Sequence, residues 1–130
     1  MATYLAVDYG EARVGLAVAS GKDKIALPLV VVVNDAQLLP RLAAVVKEHG
    51  VTDVVVGWPV SLAGNTNERT RATEAFIARL TRTLGIPVHT SDERFTTELA
   101  KRLGGTHSRG RSDDAQAAAA ILDSFLLRLP

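Results

Sequence analysis

The chain has 130 residues, 47% of them hydrophobic, and its 15 basic and 14 acidic side chains leave a formal charge of +1. That length suits one domain over residues 1–130 with a real core and excludes a second, and the balanced charge excludes a molecule-wide attraction to nucleic acid. With no cysteine, disulfides and thiolate zinc sites are excluded too, and His49, His89 and His107 are too scattered for a His-rich centre, which leaves oxygen ligands for Mg²⁺ or Mn²⁺.

Tyr4-Leu-Ala-Val-Asp8 and Val14-Gly-Leu-Ala-Val-Ala19 are apolar runs joined by Tyr9-Gly-Glu-Ala-Arg13, the pattern of a β-hairpin. Gly21-Lys-Asp-Lys24 makes a turn, and the run around Val30-Val-Val-Val33 adds a third strand. Asp35 can cap a helix with the apolar stripe Leu38, Leu42, Val45 and His49, ended by Gly50. Asp53-Val-Val-Val-Gly57 reads as a short buried strand, followed by a loop from Trp58 to Thr66. A second helix runs to about Leu84 on Ala72, Phe76, Leu80 and Leu84, and Gly85-Ile-Pro87 introduces the strand Val88-His-Thr. A third, shorter helix is expected from Thr96 to Leu103. After it, Gly104 to Gly110 has the composition of a loop, and the alanine-rich stretch from Ser112 onward is a strong helix former.

This order predicts an α/β fold, a five-stranded mixed sheet flanked by helices. The first three strands form a meander, and the last two need helical crossovers that make them parallel to the first. Asp8, at the carboxyl end of the first strand, can then neighbour the ends of the fourth and fifth, where open α/β sheets place their sites. Asp8, Glu93 and Asp114 stand where apolar elements begin or end. Carboxylates in such places are costly unless paired or metal-bound, so the three together point to a divalent-cation site. From Arg94 to Arg111, five positive residues, Arg94, Lys101, Arg102, Arg109 and Arg111, face a single acid, Glu98. That segment either meets phosphates or is a solvated basic face. Six aromatic residues are too few for a platform that stacks single strands. No apolar run has the length of a membrane span and the N-terminus lacks a signal-peptide pattern, so a cytoplasmic protein without a membrane partner is expected.

Asp8-Tyr-Gly10 with Arg13, Gly15 and Ala17 resembles the D-Y-G-x-x-R-x-G-x-A opening of the YqgF/RuvX family, described as Holliday-junction-resolvase-like proteins and pre-16S ribosomal RNA nucleases. Three further blocks follow in the same order. Val56-Gly-Trp-Pro59 with Gly64 and Phe76 is similar to V-G-L-P…G…F, with Trp58 in place of leucine. Asp92-Glu-Arg94 with Thr96, Thr97 and Ala100 is similar to D-E-R-x-T-T-x-x-A. Asp114 with Ala117, Ala118, Ile121 and Leu122 is similar to D-x-x-A-A-x-x-I-L.

The resemblance implies a ribonuclease H-like fold and a two-metal nuclease with Asp8, Glu93 and Asp114 as catalytic acids and ligands for Mg²⁺ or Mn²⁺. Asp8 would bridge the two ions, and Asp92 or Asp113 would serve as an outer or fourth ligand. The implied substrate is nucleic acid: precursor ribosomal RNA, or alternatively branched DNA, which a resolvase would cut as a homodimer, whereas RNA trimming can be done by a monomer; a non-catalytic nucleic-acid-binding module of ribosome assembly is a further alternative, against which the intact acid set argues. Each acid also has an ordinary reading, Asp8 as a turn residue and the others as acids at helix N-termini. Arg13 either orients a phosphate or pairs with Glu11 or another acid. Arg94 either anchors Glu93 or contacts substrate, while Lys101, Arg102, Arg109 and Arg111 fall where a substrate backbone would pass. Trp58 belongs to the core, an interface or a stack on a base. On the last helix, Ile121, Leu122, Phe125, Leu126 and Leu129 define the apolar face. At 100° per residue Asp114 falls about 60° from its centre and Asp113 about 160° away, so Asp114 should face the sheet and Asp113 solvent.

Overall fold

The computed structural model describes residues 1–59, 68–92 and 113–129, with the side chain of Asp113 excepted; the helix expected over 96–103 and the loop over 104–110 lie outside them. The expected hairpin is β1 (Thr3–Tyr9) and β2 (Arg13–Ser20), antiparallel from Thr3 opposite Ser20 to Tyr9 opposite Val14. β3 (Leu27–Val33) lies antiparallel to β2, with a register irregularity between Leu16 and Ala17. It starts earlier than the valine run and includes Pro28, which has no N–H to give a ladder. β3 tolerates it because it is an edge strand: the order is β3-β2-β1-β4-β5.

α1 (Leu38–His49) stops at Gly50, whose φ of 64° is the left-handed conformation glycine adopts without a Cβ penalty. β4 (Asp53–Trp58) lies parallel to β1, and β5 (Val88–Asp92), reached through α2 (Glu68–Leu84), lies parallel to β4. α3 (Asp113–Leu127) closes the described chain.

Period-two alternation divides the strands between two cores. Leu5, Val7, Val14, Leu16, Val54 and Val56 pack on one face with Leu38 and Leu42 of α1 and Phe76 and Leu80 of α2. Ala6, Ala17, Ala19 and Val55 point to the other face, against Ala118, Ile121, Leu122 and Leu126 of α3. The leucine- and phenylalanine-rich face is the larger source of stability, at about 1.5–3 kcal/mol per fully buried large side chain. The alanines on the second face instead let α3 come close to the sheet.

Two local expectations change. Asp35 is not the residue next to the first turn of α1; Gln37 holds that position without a side-chain cap, and Asp35 Oδ1 accepts the Gln37 N–H at 2.9 Å and pairs with Arg41 at 2.7 Å. These bonds, first the Gln37 N–H and then Arg41, hold the Asp35 carboxyl below the usual carboxylate range. On α2 the buried residues are Thr70, Thr73, Phe76 and Leu80, whereas Ala72 is exposed. Strict four-residue steps rotate by about 40° each, so a stripe anchored at Leu80 has left the core by Ala72. Thr73 is buried at no cost in orphaned polarity, because its hydroxyl donates to the Arg69 carbonyl at 2.9 Å.

His89 has a structural role. Its Nε2 lies 2.9 Å from Asp53 Oδ2, and its ring packs on Phe125 with centroids 5.3 Å apart. No helix among the described residues is long and apolar enough to cross a membrane.

Candidate active site at the carboxyl end of the first strand

Asp8 and Gly15 are directly opposed in the β1–β2 ladder. Opposed residues of an antiparallel pair have Cα atoms about 4.5–5.5 Å apart and direct their side chains to the same face. That face carries Ala6 and Ala17, the pair two residues along, which are buried beneath α3. Asp8 therefore leaves the sheet on the α3 side, half-buried, at the end of the strand.

Gly15 explains how α3 reaches the same place. A Cβ on Gly15 would lie 1.9 Å from the Asp114 carbonyl oxygen and 2.8 Å from the Ala115 nitrogen. The first turn of α3 thus rests directly on the backbone of β2, and the residue in contact is Asp114. A single glycine seats one acid of the set beside the strand pair that carries another.

Arg13 lies two residues before Gly15 on β2 and so shares its face. Its Nε is 3.2 Å from Asp114 Oδ2, with the arginine side chain 69% exposed and the aspartate 35%. Of the two roles open to Arg13, pairing with an acid is the one seen, and the acid is Asp114, not Glu11. An ion pair this exposed contributes at most about 1 kcal/mol to stability. Its effect is to hold the Asp114 carboxylate in one orientation and to offset repulsion between neighbouring acids.

On the far side of β1, Gly57 of β4 is level with Ser91 of β5, and Trp58 with Asp92. Trp58 and Asp92 are both half-buried at the strand ends. Ser91 shares the α3 face with His89, two residues before it. It is 3% exposed, and among the described residues its Oγ has no hydrogen-bond partner. A buried hydroxyl in that state costs about 1–3 kcal/mol. Sequence reasoning missed Ser91, since nothing in the local pattern separates it from an ordinary strand serine. The signal for the Asp114 contact was present in Gly15, which on its own reads only as a glycine in a strand.

Arg13 and Asp114 are brought together on the sheet face that carries Asp8. Glu93, the residue after Asp92, and Arg94, Lys101, Arg102, Arg109 and Arg111 lie outside the described residues. Among the described residues no group of three or more His, Cys, Asp or Glu could hold a metal ion; two of the three expected ligands are described. The donors that are described suit a hard divalent cation: two carboxylates from different elements, with an unsatisfied hydroxyl on the same face of the sheet.

A family model described as RuvX, Holliday junction resolvase, matches residues 2–128. A protein of Dictyoglomus turgidum named "Putative pre-16S rRNA nuclease" is 36% identical over 129 residues, covering 94% of this chain and 92% of its own. A Rickettsia felis protein of the same name is 31% identical over 132 residues, covering 96% and 86%. Among solved structures, Thermus thermophilus RuvC in complex with a Holliday junction substrate is similar at a TM-score of 0.64 and 16% identity, over 97% of this chain and 94% of that one. This likeness bears on the fold alone, which is ribonuclease H-like.

Proposed function

Because the chain belongs to the RuvX family, we propose that it is a divalent-metal-dependent nuclease of structured nucleic acid and that its substrate is precursor 16S ribosomal RNA. The observation that carries this reading is the contact of Asp114 on Gly15, directly across the ladder from Asp8. It supports a site built from the end of β1 and the start of α3, with the whole chain acting as one nuclease domain. A cytoplasmic site of action follows from that substrate.

In this reading Asp8, Glu93 and Asp114 would hold Mg²⁺ or Mn²⁺. When bound, a cation pair supplies a nucleophilic water near neutral pH and offsets charge on the leaving oxygen. Asp8 is fixed by the β1–β2 ladder and Asp114 by the seating of α3, so both ligands are preorganised by backbone contacts and need no ordering of long side chains. Arg13 steadies Asp114 and, being exposed, is available to a substrate phosphate. Arg94, Lys101, Arg102, Arg109 and Arg111 supply the positive charge that follows the phosphate backbone.

The test is incubation of the purified protein and Mn²⁺ with precursor 16S rRNA and, side by side, with a four-way DNA junction. Chelator-sensitive cleavage of the RNA is expected; cleavage of neither substrate would sink the reading. The description of the family as Holliday junction resolvases favours one second reading, a branched-DNA resolvase. That reading requires two symmetry-related sites, hence a dimer, and predicts paired cuts in the junction.

A further inference from the structure

On the sheet face opposite Asp8, a cavity of about 690 Å³ opens between the β1–β2 turn, the end of β3 and the first turns of α2. Its size is within the usual range for small-molecule sites. Tyr9 forms the aromatic wall, with its ring stacked on the buried Phe76 at a centroid distance of 4.2 Å and 19° between planes. Asn34 donates its side-chain amide to the Gly10 carbonyl at 2.7 Å, tying the ends of β1 and β3 together beneath the cavity. Among the described residues the charged lining is Glu11, Glu68 and Arg69. Two carboxylates against one guanidinium repel a phosphate, so the cavity does not suit the backbone of a nucleic acid. A planar ring with N–H donors along its edge suits it better.

Guanine fits this lining. Its N1–H and N2–H₂ present two adjacent donors to a carboxylate, its O6 accepts from a guanidinium, and its ring can lie against the tyrosine. Unpaired bases of RNA are commonly read in this way, by stacking and by hydrogen bonds to the Watson–Crick edge. Tyr9 follows Asp8 in β1, so a strand crossing the carboxyl end of the sheet passes over the acid and then over the cavity. We infer that this cavity receives an extruded guanine base of the nucleic-acid strand whose phosphate lies at Asp8. The inference rests on the nuclease reading above and adds to it a base preference beside the cleaved bond.

Binding tests it, with chelator present so that the result does not depend on cleavage. A labelled RNA of about ten uridines with one central guanosine is compared with the all-uridine RNA by fluorescence anisotropy. The guanosine RNA should bind at least about tenfold tighter, the discrimination expected of one good bidentate pair. Two variants should abolish the difference while keeping the wild-type melting temperature: Ala72→Trp, which fills the cavity from an exposed helix position, and Glu11→Gln combined with Glu68→Gln. Equal binding of the two RNAs by the wild-type protein overturns the inference, as does a preference that survives Ala72→Trp. Free guanosine that binds as tightly as the guanosine RNA overturns the assignment to the strand. A guanosine preference in a wild-type protein that cleaves no RNA under Mn²⁺ would uphold the base pocket and sink the nuclease reading.

Discussion

At Gly15, the first carbon of any side chain would stand 1.9 Å from a backbone oxygen of α3, which has no rotamer by which to give way. Gly15→Ala must lift the first turn of α3 from β2. We expect a loss of about 1–3 kcal/mol in urea unfolding, as for overpacking elsewhere, together with loss of cleavage, because Asp114 moves with the turn. Gly50 is the contrast. Its φ of 64° strains any other residue, but a Cβ there meets nothing within 4 Å. Gly50→Ala should cost about 1 kcal/mol in the same unfolding assay and leave the cleavage rate unchanged. Two glycine substitutions of comparable effect on stability thus separate seating of the site from stability alone.

Among the elements, β3 is the one whose sequence exceeds its structural need. It is an edge strand whose Leu27 and Val33 are each 58% exposed, with Val30 at 42%. Exposed apolar edge strands are templates for pairing with other chains, and natural proteins usually blunt them with charge. Val33→Lys should therefore reduce concentration-dependent light scattering while changing stability by less than about 0.5 kcal/mol. The strands and helices were legible in the sequence because alternation in Leu5 to Val7 and Val14 to Ala17 and the stripe through Phe76 and Leu80 follow from burial on one face. The boundaries were less so. Pro28 argues against a strand until β3 is known to lie at the edge, and four-residue steps along α2 pointed to Ala72 where the true helical period buries Thr73. Of the site, the position of Asp8 at a strand end was readable, since it depends on one element. That Arg13 pairs with Asp114 was not, because the partners are about a hundred residues apart in sequence and meet only through the packing of α3 on β2.

For the molecule as a whole, one contribution to acid stability should be separable from catalysis because it arises at the opposite end of the sheet. At the end away from Asp8, burial pushes the Asp53 carboxyl up, but hydrogen bonds from Thr52 and His89 outweigh it and hold the carboxyl below its ordinary value. A group with a depressed folded-state pKa binds its proton more readily when unfolded. Its contribution is therefore full above the unfolded value of about 4 and is lost as pH falls through the lower folded one. Asp53→Asn should flatten this part of the acid limb of the melting curve, measured from pH 6 downward, without altering cleavage at neutral pH. If Asp8 and Asp114 are acids of one nuclease site, a change at Asp8 alone should stop the reaction. Asp8→Asn preserves side-chain volume and removes a charged oxygen ligand. Single-turnover cleavage of precursor 16S rRNA under saturating Mn²⁺ is the measurement, with RNA affinity and melting temperature determined on the same preparation. Cleavage should be abolished with affinity and melting temperature close to wild type, whereas cleavage by Asp8→Asn at close to the wild-type rate would show that Asp8 is not an acid of the nuclease site.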